Sequence, residues 1–205
     1  MNLDPAEWHR MWMALGSPSM HGGLFNQLVR AYGEPQRHYH TLQHLRECLA
    51  QFEAASMLAR RPAEVELALW FHDAVYDPQR KDNEERSAEW ARASVLAAGC
   101  APEVAERVAA LVMATKAHVA PGDDPDAALL LDIDLAILAA APARFAEYEK
   151  QIRAEYAQVP DADFRAGRAR VLEGFLARDR IYVTDAFHDA LEGRARSNLQ
   201  AAARS

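Results

Sequence analysis

The chain has 205 residues, half of them apolar, so it is long enough to bury a core and is neither disordered nor fibrous. Its 23 basic and 30 acidic side chains leave a net charge of −7, which argues against a generic nucleic-acid or anionic-membrane binder, since both need a positive field. Eight histidines stand out in so acidic a protein: His9, His21, His38, His40, His44, His72, His118 and His188. Imidazole binds metals and moves protons near neutral pH, so their placement is the first functional question.

Proline falls where helices begin, because a first-turn proline forfeits no hydrogen bond. Asp4-Pro5, Arg61-Pro62, Ala101-Pro102 and Asp124-Pro125 each open an apolar-periodic segment. The pattern predicts helices over 5–15, 20–32, 41–60, 62–73, 83–98, 102–117, 125–140, 142–158, 161–178 and 184–202, with Gly99 as a helix stop. No segment alternates with a period of two for long, and Ile181-Tyr182-Val183 is too short to build a sheet, so the expected fold is all-α. Without a repeat, a linker or a composition break, residues 1–205 read as a single compact helical domain, with helices of 142–202 packing on a site built within 37–134. The loops 74–82 and 118–124 are the expected rim of that site.

Cys48 and Cys100 lie inside helical patterns and imply no disulfide framework, while the stretch from Met1 to Arg10 has no apolar leader core. The longest apolar run, Ala127 to Pro142, is broken by two aspartates. The expectation is a cytoplasmic protein that does not cross a membrane. The sequence leaves its oligomeric state open.

Three segments carry chemistry. In Arg37-His38-Tyr39-His40-Thr41-Leu42-Gln43-His44, the four-residue spacing of His40 and His44 suits two metal ligands, or one ligand beside a proton donor; His38 reads as a solvated helix start. His44 leads the apolar face of Leu45, Cys48, Leu49 and Phe52. In Ala68-Leu69-Trp70-Phe71-His72-Asp73-Ala74-Val75-Tyr76-Asp77, an apolar helix ends in adjacent His72 and Asp73, which reach one ion only where the backbone turns away. In Leu129-Leu130-Leu131-Asp132-Ile133-Asp134-Leu135-Ala136-Ile137-Leu138, two carboxylates interrupt the most apolar stretch, where a lone buried charge must be paired, protonated or metal-bound. At 100° per residue they point about 200° apart. The bulkier face is that of Asp134, which is taken as the ligand, leaving Asp132 as a supporting residue or helix surface. Imidazole from one helix, His-Asp from a second and aspartate from a third form a mixed nitrogen and oxygen set that suits Mn, Fe, Co, Ni or Zn.

The order His44, His72-Asp73, Asp134 resembles the H…HD…D signature of the HD-domain superfamily of metal-dependent phosphohydrolases. The surrounding text, including Asp82-Asn83-Glu84-Glu85-Arg86-Ser87-Ala88, Arg180-Ile181-Tyr182-Val183-Thr184 and Ala195-Arg196-Ser197-Asn198-Leu199, is similar to a bacterial subgroup of predicted phosphohydrolases of that superfamily over nearly the whole chain. Tyr39-His40-Thr41-Leu42-Gln43-His44 also resembles the YHNxxH element of cyclic-nucleotide phosphodiesterases, departing from it at Thr41. The resemblance implies an all-helical HD/phosphodiesterase-like fold and hydrolysis of a small phosphorylated substrate. It further implies one or two divalent ions, drawn from Mn, Fe, Co, Ni, Zn or Mg, on His44, His72, Asp73 and Asp134.

By the same carry-over His40 protonates the leaving oxygen and Asp73 takes part in catalysis, bridging to a second ion for which Asp77 and His118 are the nearest candidates. Arg37, Lys81 and Lys116 flank these motifs and could form a local positive rim for phosphate. Two competing classes are an HD-fold di-iron oxygenase, which needs more histidines between His72-Asp73 and Asp134 than His118, and a non-catalytic nucleotide sensor, which would be expected to have lost ligands.

Overall fold

The computed structural model describes residues 3–204, and among them are ten α-helices and no strand. They are α1 (Pro5–Ala14), α2 (Gly22–Ala31), α3 (Leu42–Ala55), α4 (Pro62–Phe71), α5 (Asn83–Ala97), α6 (Pro102–Ala114), α7 (Pro125–Asp134), α8 (Pro142–Glu155), α9 (Asp161–Leu176) and α10 (Asp185–Ala202). Short 3-10 helices follow α3 (Ser56–Leu58) and α7 (Leu135–Ala139). The fold is all-α, as the periodicity predicts, and no described helix is long and apolar enough to cross a membrane. Proline opens α1, α4, α6, α7 and α8, and Gly99 stops α5 with φ +78°, a left-handed conformation that glycine adopts without strain.

The chain divides into two compact units, residues 1–131 and 132–205. The division falls inside α7, with no glycine, proline or change of composition to announce it, so a reading of the sequence draws one domain. The largest departures from the predicted ends are in α3 and α7, which stop at Ala55 and Asp134 where 60 and 140 are expected. α3 stops at Ala55 because Arg60 and Arg61 must turn their N–H groups onto the buried Asp126 carboxylate, at 2.6 and 3.1 Å. α7 tightens into its 3-10 helix after Asp134.

In the first unit α4 is apolar all round and is correspondingly the central helix: Val65, Leu67, Ala68, Leu69 and Phe71 are fully buried, against α1, α3, α5 and α6. Arg107 of α6 pairs with Glu64 of α4 through two nitrogens at 2.7 and 2.6 Å. Trp8 meets Trp12, Phe25 and Trp70 edge-on at centroid distances of 4.9–5.7 Å.

Glu66, on the same helix, makes no hydrogen bond or ion pair among the described residues, and burial pushes its carboxyl to about 7 against the pull of Arg10, with Glu7 adding to the rise. Below 4.5 both folded and unfolded chains carry its proton. As pH rises from there the unfolded chain ionises first, so stability is lost until about 7, above which the penalty is complete. Glu66→Gln is therefore expected to stabilise the protein by ~1–3 kcal/mol above neutrality and by nothing near pH 4. Thermal unfolding of both proteins across that range measures it, and a gain independent of pH contradicts the assignment.

In the second unit three side chains bind the backbone of the segment between α9 and α10. Asp132 accepts the N–H groups of Val183 and Thr184, both at 2.7 Å, and the Thr184 hydroxyl at 2.6 Å. Glu192 accepts from Ile181 and Tyr182, and Arg196 donates to the carbonyls of Leu176, Arg178 and Asp179. The Tyr182 hydroxyl donates to the Leu135 carbonyl at 3.1 Å, and Asn198 donates to those of Leu138 and Ala140. The motifs 180–184 and 195–199 thus have a structural purpose: a loop without its own ladder is satisfied by buried side chains.

Candidate metal centre

The centre is assembled where α3 begins and α4 ends. Thr41 caps α3 by accepting the Gln43 N–H at 3.2 Å, which starts the helix just in time for His44 to face inward at 2% exposure. α4 ends at Phe71, and the turn that follows lets neighbouring His72 and Asp73 approach the same point. His72 is anchored by its Nδ1–H, which donates to the Leu69 carbonyl at 2.8 Å and leaves a lone pair on Nε2. His44 is oriented in the same way by the Tyr39 hydroxyl, 3.0 Å from its Nδ1.

The donor atoms converge. His44 Nε2 lies 3.0 Å from His72 Nε2, and Asp73 Oδ2 lies 3.0 Å from His72 Nε2 and 3.4 Å from His44 Nε2. With metal–ligand bonds of about 2.1 Å, adjacent donors stand about 3.0 Å apart in an octahedron and about 3.4 Å in a tetrahedron, so these spacings fit one shared ion. Three lone-pair atoms this close repel unless a proton or a cation lies between them. Burial pushes the Asp73 carboxyl up, but when the neighbouring rings carry the proton that fills this gap, the positive charge of His72 and His40 and hydrogen bonds from His44 and His72 outweigh it and hold it well below the ordinary carboxylate range. Asp73 is thus ionised and ready to bind a cation.

Sequence reasoning missed Cys48. Its Sγ lies 3.6 Å from His44 Nδ1 and 3.7 Å from Nε2, and together His44, Cys48 and His72 form a buried donor group that could hold a metal ion. The signal was present, since Cys48 is four residues beyond His44 on one helical face, but a lone cysteine in an apolar stripe reads as core.

The surrounding residues divide sharply. His40 is half-buried, with its ring stacked on Tyr76 at 4.0 Å and 6.0 Å from that of His44, so it stands beside the donors while still reaching solvent. Arg37, expected as a phosphate contact, is corrected: its side chain is fully buried and occupied. Nε donates to Glu34 at 3.0 Å, Nη1 to the carbonyls of His40 and Asp73 at 3.2 and 2.6 Å, and Nη2 to that of Ala74 at 2.9 Å. It latches the segment carrying His40 to the turn carrying Asp73. Arg37→Ala is expected to cost about 3–5 kcal/mol in chemical denaturation, and Arg37→Lys to restore little because the planar fork is lost. Normal stability with only weakened substrate binding would favour the phosphate role instead.

Lys116 is tied to the Glu85 carboxylate and, at 3.1 Å, to the Lys81 carbonyl, linking the end of α6 to the start of α5, while Lys81 is exposed. Asp77 is used within its own loop: Oδ1 accepts the Gln79 N–H at 2.9 Å, and its backbone N–H and C=O pair with Asn83. His118 occupies the turn after α6 with φ 47°, half-buried. Ser87 of α5 exchanges hydrogen bonds with the backbone of Val75 and so braces the turn behind Asp73.

Asp132 is not helix surface. It is fully buried, and both oxygens serve Val183 and Thr184; burial pushes its carboxyl up, with those donors pulling it partly back. Asp134 ends α7, is half-buried and lies among the charges felt by Tyr148. No family model, curated protein or solved structure matches this chain.

Proposed function

We propose that this protein is a metal-dependent phosphohydrolase acting on small phosphate esters in the cytoplasm. The observation that carries the reading is the convergence of His44 Nε2, His72 Nε2 and the ionised Asp73 Oδ2 to within 3.0–3.4 Å, with an imidazole at hand in His40. The order of these residues resembles the HD-domain superfamily, and by that order Asp134 supplies a further ligand. Cys48 adds a soft donor, and the imidazole-rich set with a thiol favours Zn, Fe or Co over Mg.

A bound divalent ion supplies Lewis acidity, lowering the pKa of water and polarising a phosphoryl oxygen. The remaining work belongs to the side chains. Tyr39 and the Leu69 carbonyl fix the ring orientations of His44 and His72, which sets where their lone pairs point. Asp73 contributes its negative charge and can accept a proton or hydrogen bond from the attacking water. His40, reachable from solvent, donates a proton to the departing oxygen.

The test is to load the purified protein with each divalent ion in turn and assay it against a panel of phosphomonoesters, phosphodiesters and nucleotides. Turnover of at least one class, abolished by chelator and restored by metal, is the expected outcome. Inactivity of fully metallated protein on every class would sink the proposal.

A further inference from the structure

His44 and Cys48 lie four residues apart on α3 and share one face of the helix, where the imidazole meets two donors of opposite chemical character. The hard one is the Asp73 carboxylate, whose Oδ2 is 3.4 Å from Nε2. The soft one is the Cys48 sulfur, 3.6 Å from Nδ1 and 3.7 Å from Nε2. Near-equal distances to the two nitrogens set the sulfur beside the ring rather than in front of Nε2, and rotation about a single side-chain bond repositions it.

Cys48 is buried, and among the described residues its sulfur meets no polar group besides this ring. A sulfur and an imidazole nitrogen held tetrahedrally by one ion, with bonds of about 2.3 and 2.1 Å, stand about 3.6 Å apart. The spacing to Nε2 is therefore already that of two ligands. Cys100, between α5 and α6, belongs to no such donor group among the described residues.

We propose that the centre holds ions in two ways that share His44 and His72: hard ions such as Mn and Mg rely on Asp73, whereas Zn and Co recruit the sulfur of Cys48. The cause is ligand softness, since carboxylate oxygen suits Mn and Mg while thiolate sulfur suits Zn. The thiol proton is released as the sulfur–metal bond forms. The thiol is thus the device by which the protein tells the two kinds of ion apart. This selectivity rests on the metal centre proposed above but not on its hydrolytic activity.

The full chain is loaded with Co, a coloured stand-in for Zn, and its absorption spectrum recorded. Expected is a sulfur-to-cobalt charge-transfer band in the near ultraviolet that Cys48→Ser erases and that Cys100→Ser and Asp73→Asn keep. X-ray absorption of the Zn form should show one sulfur at about 2.3 Å, and that of the Mn form none. In calorimetric titrations Cys48→Ser should weaken Zn at least about tenfold and Mn by less than about threefold, while Asp73→Asn weakens Mn the more. Circular dichroism checks the folding of each variant, and the parent spectra need no variant at all. A Co or Zn form of the parent without metal–sulfur bonding, a band that survives in folded Cys48→Ser, or equal losses of Zn and Mn in both variants would overturn the proposal. Metal–sulfur bonding in a protein inactive on every phosphate ester would keep this selectivity and sink the hydrolase, whereas metal-dependent turnover without that bonding would do the reverse.

Discussion

His72→Ala is expected to empty the metal centre while the helices persist. Its Nε2 stands 3.0 Å from both His44 Nε2 and Asp73 Oδ2, so removing it breaks two of the three edges of the donor triangle at once. Losing a residue that merely orients a ligand typically costs 10–100-fold in affinity, and losing a ligand should cost at least about 100-fold. Fold stability should change less by comparison, the bond to the Leu69 carbonyl that goes with the ring being worth about 1 kcal/mol. Metal content of the purified variants by mass spectrometry, with calorimetric titration of Zn and Mn, reads the effect directly.

Asp132→Asn is the informative contrast. It should keep the ion and instead lose about 2–3 kcal/mol of stability, since an amide nitrogen would face one of the backbone N–H donors of Val183 or Thr184. Asp134→Asn should weaken the ion. A result in which Asp132→Asn empties the centre and Asp134→Asn spares it would reverse the assignment of the two carboxylates. Cys48→Ala adds a graded readout: if the thiol is a ligand, affinity for Zn should fall more than affinity for Mn or Mg.

That contrast also shows where the sequence stops being legible. Helix positions were readable because proline, glycine and the 3.6-residue period act locally, and the all-α fold followed. The donors His44, His72 and Asp73 were readable because their spacing is local, four residues from His40 in one case and adjacent at a helix end in the other. The two aspartates were readable only in part. The helical wheel made Asp134 the more central, yet Asp132 is fully buried and Asp134 half-buried. The wheel assumed a helix through residue 140, whereas the α-helix ends at Asp134, and the partners that bury Asp132 are 51 and 52 residues away in the chain. Arg37 was misread for the same reason: beyond nearby Glu34 and His40, its partners lie 36 and 37 residues away, and no local pattern distinguishes a buried latch from a cation at a pocket rim.

His40→Ala is expected to keep the ion and lose rate. The residue is separated from the donor cluster by exposure: His44 and His72 are buried at 2% and 1%, whereas His40 lies on the turn before α3, half-buried, with its ring stacked on Tyr76 at 4.0 Å. Stacking on Tyr76 fixes the plane of the ring, which suits a group that must carry a proton to a substrate. Removing a positioned general acid typically costs 10²–10⁴-fold in turnover, so kcat on an alkyl phosphate should fall by about that much. The loss should shrink to less than about tenfold on a p-nitrophenyl ester, whose leaving oxygen departs without needing a proton. Equal losses on both esters would make His40 a positioning residue, and loss of the ion would make it a ligand. Tyr76→Ala refines the choice, because it leaves the acid in place but frees its ring. An intermediate fall confined to the alkyl ester would trace the effect to orientation of His40 rather than to the pocket at large.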